Sequence, residues 1–196
     1  MWWNQVIFGL DAYHVILWFL TYSILGWAVE SIYMSICNRK LTNRGFTTGS
    51  FCPIYGVGAL TVFFILRPIS NHGILLFLLG SLLATTLEFV TAAVMSRLFG
   101  EIWWDYTDKP FNYRGVICLE SSIAWGFYTI ILFMFLHNIV VGLVNSIPVS
   151  IGRFAGSIIL IVFTVDFIHS LYTAKKESLP EQVIELKEML IDKISR

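Results

Sequence analysis

The sequence predicts an all-α, polytopic transmembrane helical bundle of about five spans, and three observations predict it. The 196 residues are 57% hydrophobic and only 13% charged, where a soluble domain carries about 25% charged residues. Five apolar runs, near 14–36, 46–66, 74–96, 117–142 and 149–172, approach the ~20 residues a helix needs to cross a ~30 Å hydrocarbon core. Aromatic residues mark their ends: Trp2, Trp3 and Tyr13 precede the first run, and Trp103, Trp104 and Tyr106 follow the third, as interfacial belts require.

The first run has no Lys or Arg before Arg39, so it lacks the basic n-region of a signal peptide and is expected to remain as a span. The second is interrupted by Pro53, Gly56 and Gly58 and closed by Arg67-Pro68. A broken helix is expected there, because proline lacks a donor and irregular backbone at membrane depth survives only where it lines a cavity or is buried in protein. The third run leads into a loop, Glu101 to Gly115, that is too aromatic for a solvated linker. It is expected to fold back over the bundle, with Asp105 as a cap or as partner to Arg44 or Arg114. The fifth carries Gly152-x-x-x-Gly156, a helix-packing motif that also fits a homodimer contact. Residues 175–196 form a separate tail. Ser178-Leu179-Pro180-Glu181 reads as a capping box, and Val183, Leu186, Leu190 and Ile194 make one apolar stripe, so an amphipathic helix is expected, docked on the bundle, a second copy or a partner protein.

Basic residues set the orientation. Arg39, Lys40 and Arg44 lie in the first loop, Arg97, Lys109 and Arg114 around the third, and Lys175, Lys176, Lys187, Lys193 and Arg196 in the tail; only Arg67 and Arg153 fall on the other side. The N-terminus is expected outside and the C-terminus in the cytosol of a cell-membrane protein. Basic and acidic residues number 13 each, so no nucleic-acid footprint is present. Cys37, Cys52 and Cys118 are odd in number and form no CxxC. They read as small apolar residues; no metal site and no cofactor is expected.

Two stretches share a layout. Glu30, Asn43-Arg44-Gly45 and Tyr55-Gly56 recur as Glu88, Asn112-Tyr113-Arg114-Gly115 and Trp125-Gly126, with a spacing of eleven from the Arg-Gly glycine to the aromatic-Gly glycine in each set. Each unit is span, loop, span, so a parallel repeat about an axis along the membrane normal is one reading and chance the other. Four acids, Glu30, Glu88, Glu120 and Asp166, fall in the inner half of the bundle, Glu30 roughly 9 Å and Glu88 roughly 12 Å from the ends of their spans at 1.5 Å per residue. Ionised groups in hydrocarbon must face protein, water or a ligand. A cytosol-facing pocket of Glu30, Arg44, Glu88, Arg114, Asn43, Asn112, Asp105, Glu120 and Asp166 is therefore expected, with Gly45, Pro53, Tyr55, Gly56, Trp104 and Tyr106 as its backbone and gate. The alternative is that Glu30–Arg44 and Glu88–Arg114 are ion pairs that only clip loops to the bundle.

Gly26-Trp27-x-x-Glu30-x-x-Tyr33, Asn43-Arg44-Gly45-Phe46, Pro53-Ile54-Tyr55-Gly56-x-Gly58, Glu88, Trp104-Asp105-Tyr106, Phe111-Asn112 and Gly115-x-Ile117-x-Leu119 together resemble the family described as "putative ABC-transporter type IV". The resemblance implies a small multi-pass membrane protein with these polar positions as its signature. No GxxxxGK[ST] motif occurs, so an ABC role requires a separate ATPase partner. Three functions compete: a permease component for a small polar or charged solute; an intramembrane enzyme acting on a lipid headgroup or lipid-linked substrate from the cytosolic leaflet; and a non-catalytic regulatory or assembly subunit. The enzyme reading is the less supported, because no recognisable catalytic motif appears. In each the lipid bilayer is the first partner.

Overall fold

The computed structural model describes residues 2–177, so the expected tail helix from Ser178 onward lies outside the described residues. Asp11 accepts a 3.1 Å hydrogen bond from the His14 N–H and caps α1, Ala12–Asn38. At its far end Arg39 turns left-handed, φ 52°, and Lys40 donates back to the Ser35 carbonyl at 3.2 Å, a closed helix end that satisfies carbonyls otherwise left open.

The next helix, α2, begins at Pro53 and ends at Leu66, followed by one 3-10 turn, Arg67–Ile69. This corrects the expected span 46–66. Residues 46–52 are not helical, because Pro53 sits at the first position, where its missing N–H is harmless, and Gly45 bends the chain at φ 114°. Fourteen residues reach only about 21 Å, short of the ~30 Å core. The remaining helices are α3, Gly73–Phe99; α4, Leu119–Ser146; and α5, Val149–Glu177. By length and composition four helices, α1, α3, α4 and α5, can cross a membrane, with α2 a shorter apolar helix. The count of full-length spans among the described residues is thus four rather than five. α5 also runs past the expected end at 172 and takes in the first tail residues.

Two short hairpins interrupt an otherwise all-α chain. β1, Val6–Ile7, pairs with β2, Leu10–Asp11, through Phe8 and Gly9, both at positive φ, the turn that matches strand twist. β3, Asn112–Tyr113, pairs with β4, Ile117–Cys118, with Arg114 at φ 54° and Gly115 at φ 69°. Neither hairpin follows from hydrophobic alternation, since each strand has only two residues.

α1 packs on α2, α3 on α4, α2 on α3, and α1 on the C-terminal half of α4. The buried core gathers toward the N-terminal end of α1: Trp3, Tyr13, Leu17, Trp18, Val62, Phe63, Leu66, Val140 and Val144. Outward faces stay apolar, with Ile36, Ile74, Met134 and Phe154 well exposed, as lipid-facing helices require. Close approach is made twice in the same way. A Cβ on Gly56 would meet Ser23 and Phe19, seven and eleven residues before Glu30; one on Gly126 would meet Ser81 and Phe77, seven and eleven before Glu88. Between the two halves the Tyr55 and Trp125 rings lie 5.9 Å apart, and Phe63 stacks on Phe133 at 5.9 Å. Each pair is separated by the same 70 positions. Gly152 and Gly156 admit Tyr13 and Leu17 of α1, so the small-residue motif is used within the chain.

Candidate functional site

The loop between α1 and α2 wraps onto Glu30. The Arg44 guanidinium reaches Glu30 Oε1 at 3.3 Å through both Nε and a terminal nitrogen, and the Arg44 N–H donates to Ser31 Oγ at 3.1 Å. The Cys52 thiol lies 3.8 Å from Glu30 Oε2. Asn43 accepts from Trp27 Nε1 and donates to the Thr48 carbonyl at 2.9 Å, so it organises the loop. Asp166, on α5, accepts from Thr48 Oγ1 and from the Gly49 N–H at 2.9 Å, pinning the same loop to the last helix. Pro53 opens α2, and Tyr55 fills the space left by the absent side chain of Gly26.

Glu88, on α3, is the best-buried carboxylate among the described residues, 5% exposed. Its expected partner Arg114 does not reach it. The hairpin reversal at Arg114 and Gly115 sends the arginine outward, where it is exposed and lies 5.3 Å over the Tyr113 ring. Three neutral donors take its place: Tyr106 Oη at 2.9 Å on Oε1, with Trp125 Nε1 at 3.1 Å and Ser121 Oγ at 3.3 Å on Oε2. Tyr106 arrives from the loop between α3 and α4, which folds back as expected. Burial, then the neighbouring Glu88 charge, push the Tyr106 phenol above its ordinary range, which keeps it a donor.

The rest of that loop is held by its own residues. Asp105 accepts from the Thr107 N–H at 2.9 Å; of the two expected roles, cap or partner to an arginine, it takes that of a turn cap, and it forms no ion pair among the described residues. Trp104 Nε1 donates to the Val116 carbonyl at 2.8 Å. Asn112 donates to the Thr107 and Lys109 carbonyls and accepts from the Gly115 N–H at 3.0 Å, so it too is a loop organiser. Glu120 pairs with Lys109 at 2.9 Å on the exposed face. That hydrogen bond, with the Glu120 charge, raises the Lys109 ammonium above its ordinary value.

The four acids stand toward one end of the bundle but have four separate partner sets, rather than two arginines between them. Arg44 pairs with Glu30, whereas Glu88 has no cation partner among the described residues. Ser121 is the residue that sequence reasoning passed over. Its signal was present: Ser121 and Trp125 are four apart on one helix and therefore share a face. Cys118 and Ser121 cap α4 reciprocally, which fixes the turn that presents Ser121 to Glu88.

A deeper polar contact lies between the acids and the opposite end. His137 is buried, stacks on Phe63 at 3.8 Å, meets Trp18 edge-on at 4.8 Å and bonds Tyr22 Oη through Nδ1 at 2.8 Å. It follows a π-helical stretch, Leu132–Leu136, a local widening that often accompanies functional sites. The Trp18 indole N–H beside it is buried without a hydrogen-bond partner among the described residues.

The sequence profile of the family described as "Putative ABC-transporter type IV" matches residues 17–171, an interval holding both acid sites. No curated protein and no solved structure matches the chain.

Proposed function

The chain belongs to the "Putative ABC-transporter type IV" family, and from that premise we propose that it is a permease component for a small polar or charged solute, with its binding region around Glu88 and Glu30. The observation that carries the proposal is the burial of the Glu88 carboxyl without a cation partner among the described residues. A carboxylate buried among neutral donors costs several kcal/mol to desolvate unless something compensates it. A site that keeps such a group without a counter-cation is suited to a proton, a cation or the basic end of a solute.

In this reading the loops 39–52 and 100–118 face the cytosol, as the basic residues argue, α2 is a short fifth span, and the two Glu-bearing units form a parallel repeat. Tyr55–Trp125 and Phe63–Phe133 are supporting signs, because a residue that touches its own equivalent must lie near the axis relating the units. The repeat is unequal in function: Glu30 with Arg44 is the neutralised, structural half, and Glu88 the working half. Tyr22 and His137 offer a polar step toward the outer end. A second copy of the chain or a separate ATPase subunit completes the machine.

A permease must expose its site to both faces in turn. In a background with Cys37, Cys52 and Cys118 changed to Ser, Ser121→Cys should react with a membrane-impermeant maleimide in right-side-out and in inside-out vesicles. Labelling from the cytosolic face alone would sink the permease reading and favour the enzyme acting on the inner leaflet.

A further inference from the structure

At the end of the bundle opposite Glu88, the N-terminal ends of α1 and α5 border a cleft of about 340 Å³ lined by Asn4, Asp11, Tyr13, His14, Val149 and Arg153. Most of its polar groups have partners. Asp11 accepts from the His14 ring at 2.7 Å, the other His14 nitrogen meets Asn145 Oδ1 at 3.1 Å, and one terminal nitrogen of Arg153 donates to Asn4 Oδ1 at 2.7 Å. Two donors do not. The Tyr13 hydroxyl and the Arg153 Nε are both buried with no hydrogen-bond partner among the described residues, and Tyr13 as a whole is 3% exposed. The hydroxyl lies in space left by the missing side chain of Gly152, so the packing holds it in place. Buried donors are almost always satisfied in folded proteins, and one left open asks for a missing acceptor.

We propose that this cleft binds a phosphate-type oxyanion, which accepts hydrogen bonds from Tyr13 Oη–H and Arg153 Nε–H. The argument is independent of the permease reading. Arg153 Nε can only donate and the Tyr13 hydroxyl can donate beside it, so the ligand that completes both is an acceptor. Arg153 forms no ion pair among the described residues, and the carboxylate that also lines the cleft, Asp11, is engaged by the His14 N–H and ring, so the open charge is that of Arg153 and an anion is favoured. The first turn of α5 borders the cleft, and its positive dipole end adds to the same preference, whereas that of α1 is already capped by Asp11. Because the cleft lies where membrane-crossing helices begin, the phosphate is either that of a lipid headgroup or a free ion from the aqueous side.

Two arms separate the sources. The full-length protein, purified in detergent, is mixed with phosphatidylglycerol and the bound lipid counted by native mass spectrometry; in parallel, inorganic phosphate is titrated against lipid-free protein by thermal shift. Tyr13→Phe keeps the ring and removes only the open hydroxyl, so failure to fold does not confuse the result. It should weaken whichever ligand binds about tenfold, the worth of one hydrogen bond to a charged group. Arg153→Gln should weaken it at least as much, and Arg67→Gln, an equal loss of charge on an exposed residue of the same end, less than twofold. Loss in the lipid arm identifies a headgroup site, and loss in the phosphate arm a free-ion site. The proposal is overturned if neither ligand binds, if Tyr13→Phe binds as the wild type does, or if Arg67→Gln is as damaging as Arg153→Gln.

Discussion

Gly56→Ala is expected to lose about 2–3 kcal/mol of stability, as overpacking of a closed helix contact does. Its Cβ would sit 2.8 Å from the Phe19 carbonyl oxygen and 2.7 Å from the Phe19 ring, besides striking Ser23 Oγ. A serine hydroxyl can rotate away; a backbone carbonyl inside α1 cannot, so the two helices must part. For Gly126→Ala the three nearest atoms all belong to side chains, the closest of Phe77 at 2.6 Å besides Ser81 Oγ, and it should lose less, about 1 kcal/mol. Gly58→Ala is the internal control, since nothing lies within 4 Å of its Cβ; better helix propensity should leave it neutral or stabilised by up to ~1 kcal/mol. Thermal unfolding in one detergent ranks all three. Equal behaviour of Gly56→Ala and Gly58→Ala would show that α1 and α2 are not in contact there.

Glu88→Ala should be nearly as costly, about 3 kcal/mol, because it strands the buried donors of Tyr106, Ser121 and Trp125, each worth roughly 1–3 kcal/mol when left unmade but partly able to reach water after the loop loosens. Glu88→Gln is expected to stay within about 1 kcal/mol of the wild type. Its amide oxygen can accept from Ser121 and Trp125, which share Oε2, and its NH₂ can donate to Tyr106 Oη, which then acts as acceptor. The two variants thus separate shape from charge: Ala loosens the loop 100–118, measurable as faster amide exchange at Tyr106 and Gly115, whereas Gln leaves the loop closed and removes only the charge the proposed solute would meet. If Gln loosens the loop as Ala does, the carboxylate is a structural clip.

Much of this was legible in the residues themselves. Helix lengths follow from apolar runs, and the Glu30–Arg44 pair follows from a polar pair flanking one helix end. The Glu88–Arg114 pair was a false extension of the same logic. Glu88 and Arg114 are 26 residues apart where Glu30 and Arg44 are 14 apart, and the longer path carries Trp104 and Tyr106. That extra loop length lets a tyrosine fold back to the carboxylate while the β3–β4 reversal turns the arginine out. Such a choice is made by backbone at positive φ, at Phe111, Arg114 and Gly115, and two of these three are residues whose type does not announce it. The short α2 was half legible: Pro53 gave its start, but the anchoring of Thr48 and Gly49 by Asp166 joins residues more than a hundred positions apart, which no local pattern reports. The cleft at Tyr13 and Arg153 depends likewise on Gly152 admitting a ring from another helix.

The central claim is that two similar units differ in their pairing, Glu30 with Arg44 and Glu88 without Arg114. Two double-mutant cycles, Glu30→Gln with Arg44→Gln and Glu88→Gln with Arg114→Gln, measured by unfolding in detergent, test it most directly. The first pair should couple by about 1 kcal/mol, and the second should be additive within ~0.5 kcal/mol, as residues without shared contacts are. Coupling of about 1 kcal/mol or more between Glu88 and Arg114 would contradict the account, since it would mean that the buried carboxylate has its cation after all.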